Sequence, residues 1–428
     1  MTAAQEMDFD VVIVGGGAIG ATLALSLARL DYRVALIERY PLSFSSTSPE
    51  RVIALNHGSR AHLEQLGVWQ DIASAGTGEI RHIHVAEPGN RGQVDMHALE
   101  SPQYSTALDA LGYVVEMGPM LAPIYQQLES SSVELLCPAL VHTLDVDEDH
   151  VSVGLSSGDA QRTIHAALLV GADGTNSQIR GMAAISTQGW DYNRFGIVAS
   201  IRCEQDHSET AYECFRNSGP LAFLPLADGR FSIVWALTPG EANQVLEMDD
   251  DAFISALMSA AGDDVLNSTG PVLETSARAA FPLELNIASN FAGPRLALVG
   301  NAAHTVHPVG GQGMNLGLRD VEVLVEALDS EIGHRDPGQS ILMQAYAEQR
   351  RKDVLAVAGF TESMVSGFGC RLPGFKWLRG RGLDMMEQWP ALKGLLLSHA
   401  AGLSQTRHQV SSQMAAQASK ATATGGQL

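Results

Sequence analysis

A glycine-rich turn set between two short apolar runs constrains this chain more than any other feature. Val11-Val12-Ile13-Val14 is continuously apolar, as a strand buried on both faces is. It leads into Gly15-x-Gly17-x-x-Gly20, after which Ala21 to Leu30 carries helical periodicity, and Val34-Ala35-Leu36-Ile37 forms a second apolar run ending at Glu38. In such a strand–turn–helix–strand unit the first glycine permits the tight turn. The second lets a pyrophosphate approach the backbone, and the third lets helix and strand pack closely. The helix start then offers unpaired N–H groups and a positive dipole end to the phosphates. Glu38 stands where a carboxylate accepts hydrogen bonds from both hydroxyls of an adenosine ribose. It would repel a 2′-phosphate, which disfavours NADP as the resident ligand. The pattern predicts a dinucleotide site over a merely structural turn, and by itself does not separate NAD from FAD.

With 428 residues the chain exceeds the size at which one hydrophobic core stops growing, so more than one packed unit is expected. The texture of the sequence suggests how they alternate. A hairpin is expected over 79–100, around Glu87-Pro88-Gly89-Asn90, and a helix from about Ala122 to Ser130. From 186 to 280 strands alternate, among them Ile197–Cys203, Ala211–Phe215, Leu221–Pro225 and Phe231–Leu237. This reads as a β-sheet domain inserted into an α/β, Rossmann-like nucleotide-binding domain built from 1–78, 101–185 and 281–345. Residues 346–403 read as helical and 404–428, rich in Ser, Ala, Gln and Thr, as a disordered tail.

Charge and cysteine usage exclude several roles. A net charge of −21 argues against a phosphate-tracking surface, so no nucleic acid is expected. It also opposes electrostatic adhesion to an anionic membrane, while leaving hydrophobic docking open. Cys137, Cys203, Cys214 and Cys370 form no CxxC pair, which fits a reduced, cytoplasmic protein without a disulfide redox centre. The start MTAAQEMDFD lacks the basic and apolar regions of a signal peptide, no apolar run is long enough to span a membrane, and no metal site is expected.

Two further motifs carry the cofactor's identity. Leu169-Val170-Gly171-Ala172-Asp173-Gly174 is followed by Ser177-x-x-Arg180. Later, Arg295–Val299 reads as a strand that enters Gly300-Asn301-Ala302-Ala303-His304-Thr305-Val306-His307-Pro308-Val309-Gly310-Gly311-Gln312-Gly313-Met314-Asn315. Together with the first turn, these segments resemble the three FAD fingerprints of the FAD-dependent aromatic hydroxylases. Arg51-Val52-Ile53-Ala54-Leu55, the run Ala110–Glu116 and the run Gly219–Arg230 resemble the ubiquinone-biosynthesis branch of that family, the polyprenyl-methoxyphenol hydroxylases. The resemblance runs from about residue 8 to 350. Two departures stand out: Gly300-Asn301 replaces the usual Gly-Asp, keeping a hydrogen bond and losing a charge, and Glu116-Met117-Gly118 lacks the Asn-Arg pair of many relatives.

The resemblance implies FAD, reduced by NAD(P)H as a transient donor or by a partner protein. Oxygen then adds at flavin C4a, and the hydroperoxide hydroxylates an electron-rich ring in a pocket kept dry. It places Gly15, Gly17, Ala18, Ile19, Gly20, Glu38, Arg39, Arg51, Asp173, Gly300, Asn301, Gly311, Gly313, Met314 and Asn315 around the FAD. Pro308, Arg51 and His307 become the catalytic candidates, and Leu221, Phe223 and Pro225 the pocket lining. A histidine satisfied inside a tight loop competes with acid–base roles for His304 and His307, and ordinary core packing competes with substrate contact for the three strand residues. The expected partners are a prenylated phenol and O2. A membrane surface, other ubiquinone-biosynthesis proteins and a second copy of the chain remain open, with the basic, aromatic Phe368–Arg379 segment as a docking candidate. A halogenase would bring a WxW segment, which the five tryptophans do not form. A flavin-dependent reductase and a non-catalytic FAD-binding assembly subunit stay as alternatives.

Overall fold

The computed structural model describes residues 7–43, 51–90, 92–98, 108–216, 218–369 and 375–389. The predicted tail 404–428, Cys370 and part of the Phe368–Arg379 segment lie outside them.

In chain order the glycine turn joins β1 (Phe9–Val14) to α1 (Ala18–Ala28), and β2 (Val34–Ile37) follows. A short strand β3 (Val52–Leu55) precedes the hairpin β4 (His82–Ala86) and β5 (Gln93–His97). Helix α2 (Met117–Glu129) begins before the expected Ala122. Gly118 and Pro119 sit in its first turn, where a proline costs no hydrogen bond because the N–H it lacks would be unpaired anyway. Then come β6 (Ala160–Gly171), β7 (Thr187–Cys203), β8 (Thr210–Cys214), β9 (Leu221–Pro225) and β10 (Phe231–Leu237). After three helices within residues 239–269 the chain forms β11 (Ala279–Ala288), β12 (Leu296–Leu298), α3 (Gln312–Leu328), α4 (Ser340–Gly369) and α5 (Phe375–Gln388).

Two large sheets result. In the first, β12, β6, β1 and β2 lie side by side and parallel. Their apolar runs are buried throughout, with α1 and α3 packed in the same core. Nucleotide sites in such sheets form outside the carboxyl ends of the strands. All three motifs lie there: the glycine turn follows β1, Ala172-Asp173 follows β6, and Gly300-Asn301 follows β12.

The second sheet runs β11-β7-β10-β9-β8-β4-β5. The hairpin joins it through parallel pairing of β4 with β8. One face is covered by the helices of 239–269, with Val245, Phe253 and Leu257 packed against Leu221, Phe223 and Ile233. The other face turns toward β3 and the loop after β12: Leu224 and Ala211 cluster with Val52, and Val85 and Phe215 cluster with Val309.

Candidate active site

The three motif glycines of the first turn serve two ends, close packing and open space. Gly15 has φ +111°, and a Cβ there would lie 2.4 Å from the Ala172 carbonyl oxygen. A Cβ at Gly20 would lie 1.9 Å from the Gly15 oxygen. Both are close-packing positions. At Gly17 a Cβ would meet nothing within 4 Å, so the space beside that backbone is open to an incoming pyrophosphate. Ala18 is buried at the start of α1, and Ile19 packs against Gly300 and Gly317, tying the first motif to the third. Glu38 closes β2 with one carboxylate oxygen accepting the Gly16 N–H (2.6 Å) and the other the Tyr40 N–H (3.1 Å). The neighbouring Arg39 is exposed.

The Asp173 carboxylate accepts from the Ser177 hydroxyl and from the N–H groups of Gln178 (2.7 Å) and Ile179 (3.1 Å). It therefore caps a short helix, and its geometry is explained without a ligand. Arg180, named in the sequence only as the end of a motif, holds more together. Its guanidinium donates to the Ala302 and Thr175 carbonyls, both at 2.8 Å, and clamps the second motif to the third. Asn301 reaches the same place, its amide donating to the Thr175 hydroxyl at 3.2 Å.

The loop after β12 is fixed from beneath by a buried charge network. Asp320 accepts the Gly300 N–H (2.7 Å) and pairs with His304 (2.6 Å) and with the Arg350 guanidinium (2.6 Å). Arg350 also pairs with Asp353, which binds Arg319. Burial by itself would raise the Asp320 pKa, but His304 and Arg350 outweigh it and hold the carboxyl below its usual range. His304 is thus a member of the loop's foundation. His307 is also buried, with Nδ1 accepting the Val309 N–H (3.3 Å) and its ring set edge-on to Tyr192 at 5.0 Å. Burial, opposed by Glu362, pushes its pKa down to about 4, so the imidazole is neutral near neutral pH.

Pro308 is half-buried at the rim of this loop. Gly310 and Gly311 follow with φ +68° and +63°, conformations that favour glycine. A Cβ at Gly311 would press within 2.9 Å of the Ala54 side chain, whereas one at Gly313 would meet nothing within 4 Å. The first turn of α3, from Gln312 through Gly313 to Met314, therefore presents N–H groups beside open space. Asn315 is fully engaged by protein: its oxygen accepts from the Asn56 N–H and the Ser59 hydroxyl, and its amide donates to the Ala54 and Gly311 carbonyls. Its part is to hold the start of α3 against β3. Arg51 precedes β3 with an exposed side chain that has no charged partner among the described residues. Protein packed along one side of it lowers its pKa by partial desolvation, although the side chain as a whole stays exposed.

The expected pocket lining needs correction. Leu221 and Phe223 are almost completely buried in the core under the helices, and Pro225 points the same way. Strand alternation puts Ala222 and Leu224 on the opposite face. There a row of partly exposed residues runs across the strands in register: Val85, Glu213, Ala222, Val234 and Val198. It lies on the same face as the residues that cluster with Val52 and with Val309.

Comparison with known proteins agrees with this geometry. A family model described as an FAD binding domain matches residues 8–361. The 3-demethoxyubiquinol 3-hydroxylase of Escherichia coli (strain K12) is 33% identical over 92% of this chain and 98% of its own length. The ubiquinone hydroxylase UbiL of Rhodospirillum rubrum is 34% identical over 94% and 91% respectively. Among solved structures, p-nitrophenol 4-monooxygenase PnpA from Pseudomonas putida DLL-E4 superimposes with a TM-score of 0.76 at 20% identity, covering 94% of this chain and all of that one.

Proposed function

From the premise that this chain belongs to the FAD binding domain family, as an FAD-dependent aromatic-ring monooxygenase, we propose that it hydroxylates the ring of a prenylated phenol in ubiquinone biosynthesis. One observation carries the reading: the three motifs follow the adjacent strands β1, β6 and β12, and the inserted sheet turns toward the third a face whose cross-strand row is apolar apart from one carboxylate. FAD fits the chain's own groups. Open space at Gly17 suits the pyrophosphate, the Glu38 carboxylate suits the ribose, Asn301 the ribityl chain, and the α3 start the flavin's pyrimidine edge. Held there and reduced, FAD would supply the oxygen chemistry, activating O2 so that one of its atoms can be transferred to the ring.

The protein's part is to bind, orient and keep water away. Pro308 and the glycines after it shape the wall beside the flavin ring. Arg51, exposed and without a charged protein partner among the described residues, is suited to an electron-rich group of the flavin or substrate. His307 is neutral and holds the Val309 N–H, so its role is to position the loop. NAD(P)H binds only in passing. No helix of the described residues is long and apolar enough to cross a membrane. The outer side of α5 and the residue just past it nevertheless present Trp377, Leu378, Met385 and Trp389, all more than half exposed, with Arg381 stacked on Trp377. Such a stripe suits docking at a lipid surface, where a prenylated substrate resides.

Purified protein incubated with a short-chain prenylphenol, NAD(P)H and ¹⁸O2 tests the proposal. A hydroxylated product carrying one labelled oxygen is expected. Flavin reduction with no labelled product from any prenylphenol would leave the reductase or assembly role instead.

A further inference from the structure

We infer that Glu213 accepts the proton of the substrate's ring hydroxyl, acting as the base that makes the ring reactive. This rests on the phenol reading above and deepens it.

Position carries the argument. Glu213 lies on β8, paired in register with Val85 of β4 on one side and Ala222 of β9 on the other, with Val234 and Val198 continuing the row. The two residues that bracket it, Val85 and Phe215, belong to the same apolar cluster as Val309, which immediately follows Pro308. Its carboxylate thus stands among apolar neighbours, beside the loop expected against the flavin ring. It is partly open to solvent, yet has no hydrogen-bond or ion-pair partner among the described residues. Among the described residues the carboxylate therefore holds no other part of the protein in place.

The charged groups on the adjoining elements are engaged elsewhere. Glu87 at the end of β4 is paired with Arg379 of α5, and Arg216 stacks on Trp235 on the helix-covered side. Glu362 of α4 accepts from Tyr192, Glu387 of α5 accepts the Asp95 N–H, and His307 is neutral. Desolvation alone, unopposed by any of these, raises the Glu213 pKa to about 7, where a base works best at neutral pH.

The step balances without a further reactant. The phenol O–H breaks, its proton passes to the Glu213 carboxylate, and the electron pair stays on the phenolate oxygen; it flows into the ring as the carbon bonds one atom of O2, whose O–O bond breaks and whose other atom leaves as water, the donor's two electrons being consumed. When the displaced ring hydrogen leaves to water, the carboxyl returns its proton to the former phenol oxygen and ends ionised.

The test compares FAD-loaded wild type with Glu213→Gln from pH 5.5 to 8.5. Three quantities are measured: kcat/KM for hydroxylation, hydroxylated product per NAD(P)H consumed, and the affinity for a prenylphenol and its O-methyl ether from the perturbation of flavin absorbance. In wild type, kcat/KM and the preference for phenol over ether rise through pH about 7 and then level. In Glu213→Gln, with FAD content unchanged, that limb vanishes, hydroxylation falls roughly 10²-fold, and H2O2 replaces product. A Glu213→Gln enzyme with the wild-type rate and profile overturns the inference alone. Wild type that binds phenol and ether with the same pH dependence also overturns it, and that measurement needs no variant. Wild type that makes no hydroxylated product overturns the functional reading and this inference with it.

Discussion

Gly17 and Gly20 lie three positions apart, and substitution should affect them in opposite ways. A Cβ at Gly20 collides with the Gly15 carbonyl at 1.9 Å, so Gly20→Ala is expected to misfold the turn and lower Tm even without cofactor. A Cβ at Gly17 enters free space, at φ −66°. Gly17→Ala should therefore leave the apoprotein's Tm almost unchanged while weakening FAD binding, which denaturation scans with and without added FAD would resolve. Beneath the third motif, Asp320→Ala would strip the buried Arg350 of one of its two carboxylates and release the Gly300 N–H. A loss on the order of 3 kcal/mol is expected, read as a lower denaturation midpoint together with FAD loss. His307 adds a pH dependence of defined sign. Its pKa falls from 6.5 to about 4 on folding, so the unfolded chain binds more protons between those values. The stability His307 supports is whole above pH 6.5 and drains away as pH falls toward 4. In His307→Gln the denaturation midpoint should decline less steeply over that window.

At the scale of elements, the strands were legible and the faces they turn inward were not. Val11–Val14 and Leu296–Leu298 declare themselves by unbroken apolar runs because both faces of the parallel sheet are buried. β9 is different. Leu221-Ala222-Phe223-Leu224-Pro225 is apolar at every position, so alternation gives no hint of which set meets the helices of 239–269. The larger side chains went to the thicker core, which reverses the expected pocket lining. Likewise Arg180 and Asp320 sit inside recognisable motifs, whereas Arg350 is thirty residues from Asp320 and its role follows only from α4 packing on α3. Glu213 escaped notice because one acid in an apolar strand looks like any solvent-facing position. The corrected faces separate two phenotypes. Phe223→Ala should cost about 3–5 kcal/mol by emptying the core with little change in substrate preference. Ala222→Phe should leave the midpoint near wild type and raise KM for bulky phenols.

For the whole molecule, the striking asymmetry lies in charge and exposure. The chain carries −21 overall, yet α5 turns Trp377, Leu378, Arg381 and Met385 outward. It is held to the β4–β5 hairpin by the buried Arg379–Glu87 pair and by Leu383. Replacing Trp377 and Trp389 by serine should abolish co-sedimentation with neutral phospholipid vesicles while leaving FAD content and thermal midpoint unchanged; equal sedimentation of wild type and variant would remove the case for lipid docking.

The inserted sheet has one more consequence, which concerns descent. Because alternate residues of one strand face either the helix-covered core or the proposed substrate side, mutation at Ala222, Val234 and Val198 would sample new ligands while selection for folding acts on their neighbours. A lineage built on this sheet can drift in what it accepts without first losing what keeps it folded, and a directed library confined to those three codons would inherit the same freedom.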